Sequence, residues 1–372
     1  MTIALRLING YQLFCAALVL TLTLGADLKS SAMAQEVFDT EALLRPLESL
    51  SQAEREKILI ENAKKEGNVV WYTTDGPGPT QDILKAFSQK YPFVKARFIR
   101  AKSSEIFDRI TSEARAGRYL FDLAKTSTDT FDLYPSDIFA VYTSPAKAEI
   151  PAAMKSSKWA SVFTFVRALG YNSDLVKANE LPKSWDDLLD PRWKGKILFD
   201  SSSLPEVIML YSRWGREKSE TYLDRLGSSG NLRVHDGRTT ITQLLAAGEA
   251  PLALTVYPYD IEGLNKKGAP VDWGMLDPTL GLLQPTSIAR RSPHPYSAAL
   301  LYDFLLSRDG QKVYAQMNRT PSNPNVSSNS SREKAAVQDP RLSLEGEIPK
   351  GLNLDELSKM LDEKILNRSF KK

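Results

Sequence analysis

Three times in the first third of the chain an apolar run of strand length empties into a polar loop and then a helical pattern. The first unit reads VVWY within residues 68–72, then TTDGPGP, then a helix over 80–90. The second has a strand over 94–99, a loop over 100–104 and an amphipathic helix over 105–116, with Ile106 and Ile110 on one side and Gly117 as its stop. The third strand, near 120–124, delivers KTSTD into another polar loop. Strands alternating with helices predict a parallel sheet. In an open α/β sheet, small molecules bind outside the carboxyl ends of the strands, so these loops are where a ligand is expected.

The pattern restarts beyond an extended run at 163–170. Within SWDDLLDPRWKGKI, residues 184–197, Ser184 can cap a short helix whose dipole suits Asp186 and Asp187, and Pro191 ends it. Asp190 is pushed towards extended geometry by the proline that follows, Gly195 permits a tight turn, and ILF at 197–199 reads as a short buried strand running into Asp200 and three serines. A helix is expected after Pro205. A strand near 232–234 then ends at HDGRTT, a helix covers about 240–247, and a strand over 251–256 ends at YPYD. Extended segments at 271–276 and 286–289 lead back to the first half, followed by helices over 295–307 and 309–317. Residues 318–339, rich in Ser and Asn, are expected to loop over the surface. Upstream, 35–66 is helical, with Ser51 and Glu54 spaced as a capping box. The expected architecture is α/β with two lobes and a cleft between them: residues 35–165 and 280–372 in the first lobe, 166–279 in the second.

The amino terminus predicts export. Arg6 precedes an apolar run over about 13–24, and Ala32 and Ala34 bracket Met33, which reads as a cleaved secretory signal over 1–34 and a periplasmic mature protein. No later stretch approaches the length of a membrane span. The single cysteine, Cys15, lies inside the apolar run, so the mature chain needs no disulfide and has no thiolate for catalysis or metal binding. A formal net charge of +3 for the whole chain is too near balance to suggest nucleic acid as a partner. The motifs G-x-S-x-G, H-E-x-x-H and G-x-x-x-x-G-K are absent, and two histidines leave few ways to build a catalytic metal site. An enzyme is not expected, and no cofactor is.

Several segments in order carry a resemblance. EGNVVWYTT at 66–74, the run from Phe87 to Gly117, SWDDLLDPRWKGKI, KKGAPVDW at 266–273 and SPHPYSAALLYDFLLSRDGQ at 292–311 resemble the family 1 extracellular solute-binding proteins of bacterial ABC importers, particularly the ferric-iron-type branch. The resemblance implies a type II periplasmic-binding-protein fold, two lobes that close on a solute, and delivery to an inner-membrane permease with its ATPase. A monomer is expected.

If both sheets point their strand ends into one cleft, the first lobe lines it with Thr73, Thr74, Asp75, Ser103, Ser104, Ser127 and Thr128. The second contributes Ser201, Ser202, Ser203, Arg238, Thr239, Thr240, Tyr257 and Tyr259. Hydroxyls and helix N-terminal amides suit an oxyanion, although the same residues serve equally as helix caps. Arg238 can clamp a carboxylate, phosphonate or phosphate, or form a surface ion pair. His235 and His294 read as hydrogen-bonded structural groups. Tyr257 and Tyr259, two apart on an expected strand, would share a face and could reach one ferric ion, the transported ligand in that reading. The resemblance implies adjacent tyrosines for iron, whereas Pro258 separates this pair, and they serve equally as aromatic lining for an organic ligand. A small organic anion or polar solute is favoured over ferric ion.

Overall fold

In the computed structural model, which describes residues 38–131, 133–344 and 353–369, three parallel strands open the fold: β1 (Asn68–Thr73), β2 (Lys95–Arg100) and β3 (Leu123–Lys125). Val69 and Trp71 face one core cluster from β1 while Tyr72 is buried in another on the opposite face, so the strand is covered on both sides. Pro77 starts the next helix, Pro77–Lys90, where its missing N–H is no loss, and Ile83, Leu84 and Phe87 are the stripe it buries. The second helix, Ser103–Arg115, begins two residues earlier than expected, so Ser103 and Ser104 lie in its first turn. The expected capping box at Ser51 and Glu54 is present.

Two long strands carry the chain between the lobes. β4 (Trp159–Asn172) joins the second lobe, which holds β5 (Ile197–Asp200), β6 (Leu232–His235), β7 (Leu252–Val256) and β8 (Val271–Gly274), and β9 (Thr279–Ile288) returns. They pair antiparallel, Phe165 opposite Leu282 and Trp159 opposite Ser287. The strand order is β2–β1–β3–β9–β4–β7–β5–β6. β4 and β9 are longer than the sequence suggested, because nearly every residue in them is buried on both faces and no alternation marks their ends.

The segment at 184–197 holds a junction. Ser184 Oγ accepts from the Asp187 amide at 3.4 Å, while the Asp187 carboxylate accepts from the Lys183 and Ser184 amides at 2.9 Å. Trp185 Nε1 donates to the Pro278 carbonyl at 2.8 Å, and Trp193 is buried in the second lobe's core. The turn is thereby pinned, and β5 points its serine loop towards the cleft.

Two expectations fail in the last quarter. Residues 318–339 are only in part a surface loop: Asn318 adopts φ 56° and turns the chain back, β10 (Thr320–Pro321) pairs with β4 at Thr164 and Phe163, and Ser322 and Asn323 are buried. Polar composition hid this because Asn323 is taken up by partners inside the fold, Gln311 Oε1 accepting from its amide at 3.2 Å and Glu149 accepting from its side chain at 3.0 Å. β11 (Leu342–Leu344) adds to β9. The helix Leu354–Leu361 then leaves the first lobe, with which 280–372 was grouped, and its Leu357 and Leu361 join Leu210, Tyr211 and Leu223 in the second lobe's core. The expected signal over 1–34 lies outside the described residues, among which no helix is long and apolar enough to cross a membrane.

Candidate ligand cleft

A continuous chain of contacts joins the strand ends of both lobes. Lys125, at the end of β3, is completely buried, and its ammonium reaches Asp75 Oδ1 at 3.1 Å, Thr74 Oγ1 at 3.0 Å and Gln284 Oε1 at 2.8 Å. Burial lowers its pKa, opposed by the Asp75 carboxylate. The same ammonium lies 5.1 Å from the ring centre of Phe163 on β4. Arg319, between the helix Arg308–Gln316 and β10, spreads its guanidinium 4.8 Å from the Phe165 ring centre and 4.6 Å from that of Tyr259. Among the described residues no carboxylate comes within ion-pair distance of it.

The second lobe supplies an aromatic wall and two more cations. Tyr257 and Tyr259 stack with ring centres 5.1 Å apart and planes at 21°, and Phe165 lies 5.0 and 5.6 Å from them. Their geometry is not the expected strand face. β7 ends at Val256, Tyr257 caps a helix, and Pro258 occupies the first turn of Pro258–Asn265, where its fixed φ suits helix rather than strand. Just before, Thr255 holds φ 64°, a conformation rare for a β-branched residue, beside an irregular register between β4 and β7. Arg167 of β4 stands 4.3 Å from the Tyr257 ring centre and Arg238 6.0 Å from it.

Each of these two arginines has a carboxylate behind it. Arg238 meets the fully buried Asp200 at 3.1 Å and donates to Ser202 Oγ and the Ser202 carbonyl, both at 3.0 Å. Asp200 also accepts from the Gly237 amide and Ser202 Oγ, so the serine loop holds the guanidinium from behind. Glu206 faces Arg167 at 3.6 Å with both side chains buried. Arg167 Nε and both Glu206 oxygens have no hydrogen-bond partner, which leaves a loosely satisfied pair beneath the wall.

The expected lining residues divide accordingly. Thr74, Asp75, Ser202, Arg238, Tyr257 and Tyr259 gather at the chain of contacts. Ser127 Oγ bonds Ser103 Oγ at 3.1 Å, and Ser104, Thr239 and Thr240 are exposed at helix starts. Thr73 is fully buried, its Oγ1 accepting from the Asp75 amide, and Ser203 is buried against Thr255 Oγ1 at 3.3 Å. Thr128 is buried, and Ser201 bonds Asp236. His294 is structural: its ring Nδ1 lies 3.0 Å from buried Asp122, whose carboxylate outweighs burial and raises the imidazole pKa.

Sequence reasoning missed Lys125, Arg167 and Arg319. Arg167 interrupts an apolar strand with one cation and Lys125 closes one, a signal that could have found them. Arg319 gave no such sign, since only tertiary packing brings its polar segment to the aromatic wall.

The phenol of Tyr259 is driven to a higher pKa by burial and then by Asp260, which works against the phenolate a ferric ion would need. Asp260 is itself pushed up by burial. Among the described residues no three His, Cys, Asp or Glu side chains come together as a metal site. The arrangement is cationic and aromatic, and can hold a small anion with an apolar or planar body.

The sequence profile of the bacterial extracellular solute-binding proteins matches residues 131–341. Iron uptake protein A1 of Synechocystis sp. is 24% identical over 279 residues, covering 66% of this chain and 76% of the relative. Iron-bound HitA from Pseudomonas aeruginosa aligns with a TM-score of 0.64 at 21% identity over 82% of this chain and 99% of that one. The periplasmic binding protein AfuA from Actinobacillus pleuropneumoniae, with fructose-6-phosphate bound, aligns with a TM-score of 0.57 at 20% identity, covering 81% and 99%. These solved structures share the type II periplasmic-binding-protein fold with this chain.

Proposed function

Because the chain belongs to the bacterial extracellular solute-binding proteins, a non-catalytic family that serves ABC importers, we propose that its cleft captures a small organic anion. The observation that carries this reading is Arg319, a guanidinium lying against Phe165 and Tyr259 with no ion-paired carboxylate among the described residues. A carboxylate, phosphate or phosphonate supplies the missing charge, while Tyr257, Tyr259 and Phe165 cover the ligand body. Arg238, held from behind by Asp200 and Ser202, is the second clamp. Thr74, Asp75, Ser103, Ser127, Thr239 and Thr240 complete the polar rim.

The lobes swing about β4 and β9, and closure of the occupied form engages a membrane permease with its ATPase. The protein acts as a monomer in the periplasm after loss of residues 1–34. A relative described as an iron uptake protein and a structural neighbour with bound iron keep ferric ion as a second reading, favoured here by the stacked Tyr257 and Tyr259. A neighbour with bound fructose-6-phosphate fits the anion reading.

Protein stripped of ligand by refolding is heated with inorganic phosphate, sugar phosphates, phosphonates, organic carboxylates and ferric citrate. A true ligand stabilises it by mass action. Stabilisation by an organic anion that is lost in Arg319→Ala supports the proposal. Response to ferric ion alone, with a visible tyrosinate-to-iron band that Tyr257→Phe and Tyr259→Phe abolish, replaces it with iron.

A further inference from the structure

The first lobe carries a second cavity, at the end of its sheet away from the cleft. Lys125 marks the cleft end of β3. Phe121 precedes that strand and Ala289 follows the paired strand β9, so the cavity they line lies roughly 13 Å away by strand rise. Its volume is about 230 Å³. Ile110, Phe121 and Ile138 form an apolar floor, and Arg115, Arg118 and Arg291 stand around the mouth. All three arginines are exposed, and among the described residues none is ion-paired, whereas most other arginines of the chain have a carboxylate or a carbonyl partner. Arg291 is steadied by the Tyr119 ring, 5.5 Å from its centre. Asp137 is the one carboxylate in the lining, beside the hydroxyls of Thr111 and Tyr119, which leaves the mouth with an excess of two positive charges.

We propose that this cavity is a binding site for a small ring-bearing carboxylate, separate from the cleft. The size argument is direct, because an apolar cavity of about 150 Å³ holds a benzene ring, and the remaining space accommodates a short arm with its charged end. The charge argument selects an anion. A planar guanidinium gives a carboxylate two parallel donors, and three of them at one mouth, without carboxylates of their own, favour a monoanion over its neutral amide. The apolar floor selects a ring or hydrocarbon body over inorganic phosphate, which would leave it uncovered. The helix Ser103–Arg115 ends at the mouth, so part of the Arg115 charge answers that helix's carbonyl end, and Arg118 and Arg291 are the main clamps.

Phenylacetate and its neutral analogue phenylacetamide are titrated into the full-length mature protein, with ligand-observed saturation-transfer NMR and calorimetry as readouts. The expected result is saturable phenylacetate binding, with the amide about tenfold weaker. The variant Arg118→Ala/Arg291→Ala should lose about tenfold or more in phenylacetate affinity, as a surface change that leaves the core intact. The cleft variant Arg319→Ala should bind phenylacetate at this site as wild type does, which separates this site from the anion cleft. Absence of saturable binding, equal affinity for the amide, indifference to the arginine substitutions, or loss in the cleft variant would each overturn the proposal.

Discussion

Arg319 lies over the ring of Tyr259, its guanidinium carbon 4.6 Å from the ring centre, and this contact links a segment of the first lobe to the helix that walls the second. The pairing uses the flatness of both groups. Replacing Arg319 by alanine is expected to weaken binding of the cognate anion by about 10- to 100-fold, the scale of one charged hydrogen-bonded contact. Arg319→Lys should recover only part of that loss, since an ammonium keeps the charge without the planar fork. Calorimetric titration of the two variants checks both outcomes.

Beneath the aromatic wall, Arg167 and Glu206 face each other at 3.6 Å with little else to satisfy them. Removing one partner strands a buried charge, so Glu206→Ala is expected to cost about 3–5 kcal/mol of stability. The paired change Arg167→Met with Glu206→Leu should restore most of it, because neither charge then remains to be desolvated. Urea unfolding of the single and double variants measures this. A double variant as unstable as the single one would mean that Arg167 packs rather than pairs.

The sequence disclosed the strand-loop-helix units and the loops at the strand ends, because apolar period and turn chemistry are local. Ser202 and Arg238 were legible for the same reason: each follows a short strand by two or three residues. Tyr257 and Tyr259 were found as residues but misjudged in geometry, since Pro258 reads as an interruption of a strand until the helix it starts is seen. Arg319 and Glu333 belong to a polar stretch whose burial depends on β10 pairing with β4, a contact more than 150 residues away along the chain. Local chemistry carries no trace of such a pairing, and that is why the most consequential cation of the cleft escaped.

Glu333, in the helix Ser331–Val337, is almost fully buried near Thr320 and the Val166 amide, and burial pushes its carboxyl pKa up to about 7, with the Glu262 carboxylate adding to the rise. A carboxyl that holds its proton more tightly folded than unfolded stabilises the fold at low pH and loses that contribution as pH rises through the folded value. Between about pH 4.5 and 7 this group alone should remove roughly 3 kcal/mol. Glu333→Gln, which keeps the shape without the charge, is therefore expected to flatten the fall in melting temperature between pH 5 and pH 8 relative to wild type. Equal slopes would show that Glu333 ionises without cost.

The last helical segment is held to the second lobe by a close approach that only glycine allows. A Cβ on Gly227, in the helix Arg216–Ser228, would lie 1.7 Å from the Lys364 carbonyl oxygen, so one backbone would have to move away from the other. In an exposed helix interior, alanine for glycine stabilises by about 1 kcal/mol. Here the sign should reverse: Gly227→Ala is expected to displace the terminal helix, uncover Leu357, Leu361 and Ile365, and lower the melting temperature. Leu361→Ala, which leaves the approach intact but empties part of the contact, should cost about 2–4 kcal/mol. Hydrogen exchange separates the two, since displacement by Gly227→Ala should deprotect the amides of 354–369 selectively while those of β4 and β9 remain slow.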